Sequence, residues 1–150
     1  MTSAQTTPLP RHVFVYGTLR RGEQRDINLL KPAPRYVGPA RVAGVLFDLG
    51  DYPGLRLDGQ RTDNAWVCGE VYEISSALEE LLDEIEGIDP KPNGEYSKRE
   101  VRVQPACGVA STQEKLVCLV YEVANGRTAH CRVIGGGDWA RYRLQRGSAN

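Results

Sequence analysis

The fold can be read outward from the stretch Val13-Phe14-Val15-Tyr16-Gly17-Thr18-Leu19-Arg20-Arg21-Gly22. Its β-branched and aromatic residues run directly into Gly17, which predicts a strand that ends abruptly in a tight loop. A glycine at that point lets the backbone turn and lets another group approach closely. The N–H groups that follow have no sheet partner, so they can converge on an anion or on a polarised carbonyl group. Most strand–glycine segments are ordinary turns, so this loop alone does not identify a site.

The clearest helix lies in the middle of the chain. Ser76 and Glu79 have the spacing of a capping box, which marks the start of a helix. Gly87 stands where a glycine commonly ends one. Four apolar residues recur at the spacing of a single helical face: Leu78, Leu81, Leu82 and Ile85.

Glu86 is the informative residue on this helix. At roughly 100° per residue it lies about 40° from Leu82, at the border of the apolar stripe, so we expect it to be partly buried. The other acidic residues are expected to face solvent: Glu79, Glu80, Asp83 and Glu84. Burial and the negative end of the helix dipole both raise the pKa of a carboxyl group, which suits a base working near neutral pH. The alternative is an ordinary glutamate at a helix end.

The remaining pattern is rich in strands. Strands are predicted at residues 40–49, 65–74, from Tyr96 onward and at 116–121, the last of these being the most buried because its apolar run is continuous. Gly44 inside the first of these predicts a bulge or a close backbone approach. Shorter features are a helical turn at 26–30, a turn at 51–54 with Gly54 at positive φ, loops at 60–64, 89–95 and 106–113, and a final helix or turn holding Trp139 and Tyr142. The loop at 89–95 could cover a site beside Glu86.

Length and charge limit the possible functions. A chain of 150 residues predicts one domain, which we place at 11–143 between a flexible lead-in at 1–10 and a tail at 144–150. The 19 basic residues balance the 19 acidic ones, so neither nucleic acid nor an anionic membrane is an expected partner. The N-terminal segment has no apolar stretch of the kind a secretory signal needs. We therefore expect a cytoplasmic protein, whose oligomeric state the sequence does not indicate.

Cysteine and histidine patterns argue against a metal site. The four cysteines, Cys68, Cys107, Cys118 and Cys131, have no C-x-x-C spacing, and without a secretory signal we expect them to be reduced. His12 and His130 lie far apart without ligand spacing. Neither a P-loop nor a dinucleotide-binding glycine pattern is present, so no cofactor is expected.

Two motifs give the chain a family resemblance. Tyr16-Gly17-Thr18-Leu19-Arg20 and Leu82-Asp83-Glu84-Ile85-Glu86-Gly87 resemble the two signatures of the gamma-glutamylcyclotransferase-like family, which includes the γ-glutamylamine cyclotransferases. Lesser landmarks follow in the expected order, so that the resemblance spans residues 12 to 142: Asp51-Tyr52-Pro53-Gly54, Gly69-Glu70-Val71-Tyr72 and Gly137-Asp138-Trp139. The resemblance implies an α+β fold, a small mixed sheet that is curved or closed like a barrel, with a few short helices.

The resemblance also implies a reaction. A γ-glutamyl amine or peptide would close into 5-oxoproline and release its amine, with Glu86 as general acid and base and with a possible place in glutathione-related metabolism. Substrate contacts would come from the first motif and from two aromatic pocket walls: Tyr16, Gly17, Thr18, Leu19, Tyr96 and Trp139. No metal or cofactor takes part in this scheme.

Some features leave other interpretations open. Arg20 and Arg21 are candidates for a substrate carboxylate, although basic loop residues are usually solvated. Relatives commonly have Asn where Arg25 stands and Arg where Lys98 stands, which puts the substrate in doubt. Hydrolysis of a related small amide remains an alternative, as does a non-catalytic module that binds a small carboxylate or an amino-acid metabolite.

Overall fold

A computed structural model of the chain describes residues 11–57, 66–87, 94–105 and 116–148. Within these ranges the strands are β1 Arg11–Val15, β2 Arg35–Ala43, β3 Val45–Asp48, β4 Pro53–Arg56, β5 Trp66–Ile74, β6 Tyr96–Pro105, β7 Leu116–Val123 and β8 Arg132–Val133. The helices are α1 Ser76–Ile85 and α2 Trp139–Ser148, with 3₁₀ turns at Ile27–Leu29 and Asn125–Thr128. A bilayer-crossing helix is absent from the described ranges, in which α1 and α2 have 10 residues each.

Five strands close into a barrel in the order β1-β5-β2-β6-β7. Neighbouring strands are antiparallel except at the closure, where β1 runs parallel to β7 with Val13 opposite Leu119. Closure pairs the backbone of both outer strands and so removes exposed sheet edges. A separate three-stranded sheet has the order β4-β3-β8. The predicted α+β fold with a closed, barrel-like sheet is confirmed.

Strand β1 is buried on both faces, which explains its continuous apolar run. Phe14 belongs to a hydrophobic cluster to which all five barrel strands contribute side chains. Val13 and Val15 pack with α1 on the other side of the sheet. Leu78 and Leu82 of the helical stripe are fully buried in that second cluster. Because β1 is held from both sides, the loop that follows it at Gly17 starts from a fixed position.

The strand predicted at 40–49 is two strands. The chain leaves the barrel at Gly44, between β2 and β3, and then pairs with β4 in the smaller sheet. A Cβ atom on Gly44 would lie 2.7 Å from the carbonyl oxygen of Arg56. The close approach predicted for Gly44 is therefore confirmed, while its consequence is a change of sheet rather than a bulge.

The turn predicted at 51–54 was placed too late. Pro53 and Gly54 lie in β4, and the left-handed φ of 108° belongs to Gly50. Gly54 is required for space instead, since its Cβ would lie 2.8 Å from a methyl group of Val123. Pro53 in turn packs against the first loop, where a Cβ on Gly17 would lie 2.5 Å from the Pro53 ring.

Helix α1 begins one residue earlier than the capping box indicated. Ser75, not Ser76, is the N-cap, and its hydroxyl accepts a hydrogen bond from the N–H of Leu78 at 3.1 Å. The predicted end is confirmed, because Gly87, with a left-handed φ of 77°, directly follows Glu86, the C-cap residue of the helix. Glu86 thus occupies a defined position at the carboxyl end of the helix.

Several other predictions are confirmed: the strand at 65–74, the strand from Tyr96, the buried strand β7, the helical turn at 26–30 and the final helix. Helix α2 continues to Ser148, so part of the segment expected as a tail is helical. The loops predicted at 60–64 and 106–113, and most of the one at 89–95, lie outside the described residues. The described cysteines, Cys68, Cys118 and Cys131, are unpaired thiols, and Cys107 lies outside the described residues.

Candidate active site

One cavity of about 600 Å³ opens where the first loop, the small sheet and the end of α1 meet. Its walls bring together most of the predicted site residues, namely Tyr16, Gly17, Thr18, Leu19, Tyr96 and Glu86. Other lining residues were not predicted from the sequence: Gln24, Arg25, Asp51, Tyr52, Pro53, Ile85, Glu95, Tyr121 and Arg146, together with Phe14 and Val15 of β1. The two family motifs, far apart in sequence, therefore face a common space.

The first loop is fixed through its carbonyl groups. Gly17 accepts a hydrogen bond from the N–H of Arg20 at 3.0 Å, and Thr18 accepts one from Arg25 at 2.8 Å. Leu19 accepts one from the N–H of Ile27 at 2.9 Å. The N–H groups of Gly17, Thr18 and Leu19 donate to no backbone or side-chain acceptor among the described residues. The loop therefore presents unused donors at the cavity lining, as its sequence indicated.

Glu86 faces the same cavity from the end of α1. No described residue donates a hydrogen bond to its carboxylate. Burial raises the pKa of Glu86 from the ordinary 4.5 to about 7, with Arg25 opposing the shift and Glu95 adding to it. The partial burial and the raised pKa expected from the sequence are both found. A carboxyl group with this pKa can take up or give up a proton near neutral pH.

Asp83 corrects the view that Glu86 is the helix's one buried acid. The sequence placed Asp83 on the solvent side, but the residue is only 5% exposed. Its carboxylate accepts hydrogen bonds from the Tyr121 hydroxyl at 2.7 Å and from the Lys98 ammonium at 2.8 Å. Lys98 also donates to Glu79 at 2.8 Å. These partners lie on β6 and β7, so the helical pattern alone could not reveal them.

Lys98 consequently anchors a helix rather than a ligand. Its position, where the family resemblance led us to expect Arg, bears on the choice of substrate only if the side chain reaches the cavity. The side chain joins β6 to α1 through Glu79 and Asp83 and does not line the cavity. Arg25, the other residue that bears on the choice of substrate, does line the cavity. Its guanidinium forms no hydrogen bond with the described residues.

Arg20 and Arg21 are turned away from the cavity. Arg20 donates to Glu70 at 3.1 Å and to Asp138 at 3.0 Å, which locks the loop to β5 and to the start of α2. The Arg21 guanidinium lies 4.4 Å from the centre of the Tyr36 ring. Neither residue lines the cavity, so their candidacy as carboxylate ligands is not supported.

Tyrosine hydroxyls stiffen the cavity wall. Tyr16 donates to the carbonyl oxygen of Tyr121 at 2.6 Å, and Tyr96 donates to that of Pro53 at 3.2 Å. The Tyr52 hydroxyl is hydrogen-bonded to Glu95. Burial raises the pKa of Tyr16 and of Tyr96, so both stay protonated at neutral pH. Tyr16 also accepts a hydrogen bond from the N–H of Leu55 at 3.3 Å, so the two hydroxyls tie β4 to the barrel, Tyr96 as a donor and Tyr16 as an acceptor.

Trp139 is not a cavity wall. The residue is fully buried in the core cluster to which all five barrel strands contribute. Its ring centre lies 6.1 Å from that of Tyr142. An aromatic residue next to a glycine run fits a core position as well as a pocket, and the sequence offered no means to choose. Metal-binding clusters of His, Cys, Asp and Glu are not found among the described residues.

The chain matches a known family and a curated protein. The family model described as "Gamma-glutamyl cyclotransferase, AIG2-like" matches residues 13–141 of the chain. A curated protein of Niallia circulans, the γ-L-glutamyl-butirosin B γ-glutamyl cyclotransferase, is 33% identical over 153 residues. That match covers 98% of this chain and 90% of the relative.

Solved structures share the fold. An AIG2-like protein from Mus musculus has a TM-score of 0.69 at 23% identity, with 88% of this chain and 89% of that chain covered. YkqA from Bacillus subtilis also has a TM-score of 0.69, at 27% identity, and the match covers 95% of this chain. The chain spans 44% of the length of YkqA, which is thus a much longer protein.

Proposed function

The chain belongs to the gamma-glutamyl cyclotransferase, AIG2-like family, and on that premise we propose that it converts a γ-glutamyl amine or peptide into 5-oxoproline and the free amine. One observation carries the proposal. Glu86, an acid with a pKa raised to about 7, faces the same cavity as the unused N–H groups of Gly17, Thr18 and Leu19. A base and a set of oxyanion donors are the two groups that this ring closure needs.

The reaction is an intramolecular acyl transfer. The α-amino nitrogen of the γ-glutamyl group attacks its own γ-carbonyl carbon, which forms the five-membered lactam. The bond between that carbon and the amide nitrogen then breaks, and the leaving nitrogen takes up a proton. No water is consumed and no electron is transferred, so a base, donors and a shaped cavity are sufficient.

Glu86 fills the proton-transfer role in this scheme. Its carboxylate accepts a proton from the α-ammonium group and later returns one to the departing amine. Acid–base help of this kind is typically worth about 10²–10⁴ in rate. The pKa of about 7 balances the two duties, because both protonation states are populated near neutral pH.

The loop fills the electrostatic role. The N–H groups of Gly17, Thr18 and Leu19 hold the oxygen that becomes negative at the γ-carbonyl, and the loss of one such donor typically costs about 10²–10³ in rate. Tyr16 and Tyr96 wall the cavity so that the substrate is held curled. Proximity matters most for a ring closure, because the attacking nitrogen belongs to the substrate itself.

The alternatives make different demands on the cavity. A pure carboxylate receptor would gain from losing a half-buried acid such as Glu86, since like charges oppose each other's burial. A hydrolase would use the same base to activate water and would release glutamate. Product identity therefore separates the three functions.

The decisive experiment is a screen of γ-glutamyl compounds with mass-spectrometric detection of both 5-oxoproline and glutamate. We expect 5-oxoproline in equimolar amount with the released amine, also after treatment with a chelator, because the scheme uses no metal. Release of glutamate would establish hydrolysis instead. Binding without either product would favour the receptor.

The proposed function also suggests where the protein works and the redox state of its cysteines. We propose a cytoplasmic location with all four cysteines reduced and a substrate drawn from glutathione-related metabolism. Thiol titration of the protein unfolded without reductant should give four free thiols per chain. A value of two or zero would contradict the reduced state.

A further inference from the structure

Two tyrosine hydroxyls beside Glu86 give their protons to the protein. Tyr96 and Tyr121 line the cavity of about 600 Å³ that Glu86 faces. Tyr96 donates to the carbonyl oxygen of Pro53 at 3.2 Å, and Tyr121 donates to the carboxylate of Asp83 at 2.7 Å. Burial raises the pKa of both hydroxyls, and the nearby Glu86 carboxylate raises it further, so each keeps its proton at neutral pH. Each hydroxyl can therefore offer a ligand only an oxygen lone pair.

The lone pairs of these two hydroxyls are unused. Neither oxygen accepts a hydrogen bond from any described residue. Tyr16, another tyrosine of the cavity wall, differs from them, because its hydroxyl donates to the carbonyl oxygen of Tyr121 and also accepts from the N–H of Leu55. Buried polar groups usually have partners in native proteins, and those that lack one call for an explanation. A ligand with several N–H groups would supply the missing donors.

The charges around the cavity favour a cationic group. Arg146 lines it but donates to Asp48 at 3.1 Å and to the carbonyl oxygen of Gly50 at 3.0 Å, so its charge is already engaged. Arg25 is the other guanidinium among the described lining residues. Against it stand three carboxylates: Asp51, Glu86 and Glu95. The lining is therefore acidic even when Glu86 holds a proton, and a positively charged group of a ligand is attracted to it.

We propose that Tyr96 and Tyr121 bind the α-ammonium group of the substrate as paired acceptors, and that the site thereby selects γ-glutamyl compounds with a free primary α-amino group. The inference rests on the proposed function, in which this ammonium group gives a proton to Glu86. An ammonium group has three N–H donors and no acceptor. One N–H meets the Glu86 carboxylate, and the other two meet the phenolic oxygens.

Asp83 keeps the Tyr121 hydroxyl in the accepting orientation. The hydroxyl proton points to Asp83, whose carboxylate is itself held by Lys98 at 2.8 Å. A hydroxyl turned the other way would donate to Glu86, stabilise its carboxylate form and so weaken the base. Because the orientation is set by the protein, the acceptor needs no reorganisation when the substrate arrives.

The first test removes the acceptors one at a time. The variants Y96F and Y121F should each raise KM for γ-glutamyl-methylamide about 10-fold, the cost of one hydrogen bond to a charged group. The hydroxyls hold the nitrogen before and after it loses its proton, so kcat should change by less than about threefold. A change confined to KM is not expected from a defect in folding, which lowers the concentration of active enzyme and hence the apparent kcat.

Y142F is the matched control for Y121F. The Tyr142 hydroxyl also donates to a carboxylate, that of Asp48 at 2.6 Å, but Tyr142 does not line the cavity with Glu86. Its KM should stay within about twofold of the wild type. An unchanged KM in both Y96F and Y121F, or an equal rise in Y142F, overturns the proposal.

The second test changes the ligand and leaves the tyrosines in place. Calorimetry uses the E86Q variant, which we expect to turn over too slowly to disturb the measurement. It compares γ-glutamyl-methylamide with two analogues, one methylated on the α-nitrogen and one in which hydrogen replaces the α-amino group. Affinity should fall about 10-fold on methylation, which removes one N–H donor, and about 10²-fold when the amino group is absent. Equal binding of all three compounds overturns the proposal.

The variant E86Q/Y96F/Y121F separates failure of this proposal from failure of the proposed function. It should lose most of the preference of E86Q for γ-glutamyl-methylamide over the compound without the amino group. That loss supports the ammonium site even if the wild type releases no 5-oxoproline, a result that would contradict the proposed function alone. A triple variant that is folded by circular dichroism and keeps the full preference overturns the ammonium site, whatever the reaction proves to be.

Discussion

Asp83 and Glu86 lie within one turn of each other on the same helix, and both are largely withdrawn from solvent, yet their surroundings are opposite. Asp83 receives hydrogen bonds from Tyr121 at 2.7 Å and from Lys98 at 2.8 Å. Glu86 receives none from the described residues, faces a cavity of about 600 Å³, and has a pKa raised to about 7 by burial. The Asp83 carboxylate is therefore engaged by other groups of the protein, whereas the Glu86 carboxylate is accessible to a ligand in the cavity.

The difference shows that the role of a buried acid depends on its hydrogen-bond partners. A buried charge with two charge-assisted hydrogen bonds holds elements together, here α1 against β6 and β7. Burying an acid without hydrogen-bond partners costs folding free energy. Such groups concentrate at functional sites, where their reactivity is used. The Asp83 contacts also keep α1 in place, so that Glu86 at its end faces the cavity that the loop at Gly17 lines.

The largest effect expected from this comparison is on turnover in E86Q. Glutamine keeps the shape of the side chain but cannot accept a proton from the α-ammonium group. The release of 5-oxoproline from an active γ-glutamyl compound should fall at least about 10²-fold, with the fold intact. E84Q is the matched control, because Glu84 is exposed on the same helix. A wild-type rate in E86Q, or an equal loss in both variants, would show that Glu86 is not the base.

The second effect is on stability and belongs to Asp83. D83N removes the charged acceptor of Lys98 and Tyr121, which leaves the quarter-exposed Lys98 ammonium with Glu79 as its one carboxylate partner among the described residues. Loss of one member of a fully buried pair costs about 3–5 kcal/mol, and partial solvent access reduces this to about 1–3 kcal/mol here. Urea unfolding measures the change, and E80Q on the exposed face should stay within about 0.5 kcal/mol of the wild type. A D83N protein as stable as the wild type but without turnover would reverse the roles assigned to the two acids.

The sequence revealed one of these acids and misplaced the other for a physical reason. The position of Glu86 follows from the period of α1 itself, and Gly17 and the strands follow from equally local patterns. The burial of Asp83 depends on Lys98 and Tyr121, which lie on other elements and enter only through the closed barrel. Arg20 and Trp139 were misjudged in the same way, because Glu70, Asp138 and the barrel core that engage them are distant in sequence.

A third effect separates the two acids by the pH dependence of stability. The pKa of Glu86 is about 7 in the folded protein and near 4.5 when unfolded, so folding favours its protonated form. This contribution to stability is fully present below about pH 4.5 and is lost as the pH rises through about 7. E86Q, which has no charge to bury, should therefore gain stability over the wild type above pH 7, by on the order of 1–3 kcal/mol. Thermal melting at pH 5 and pH 8 tests this, and a difference between variant and wild type that does not grow with pH would contradict it.

The smallest effect concerns Arg25 and Lys98, the two positions at which we expected a departure from the family pattern. Arg25 lines the cavity and opposes the upward shift in the pKa of Glu86, whereas Lys98 contacts Asp83 and Glu79 outside it. R25N, which introduces the residue expected from the family pattern, should therefore move the acid limb of the kcat/KM profile from near pH 7 to higher pH, because a favourable positive charge is removed. K98R introduces the arginine expected from the family pattern and keeps the positive charge beside Asp83, so its profile should coincide with that of the wild type. If K98R shifted the limb as far as R25N does, the Asp83 network would be acting on Glu86 electrostatically, and the separation between a structural acid and a reactive acid on α1 would fail.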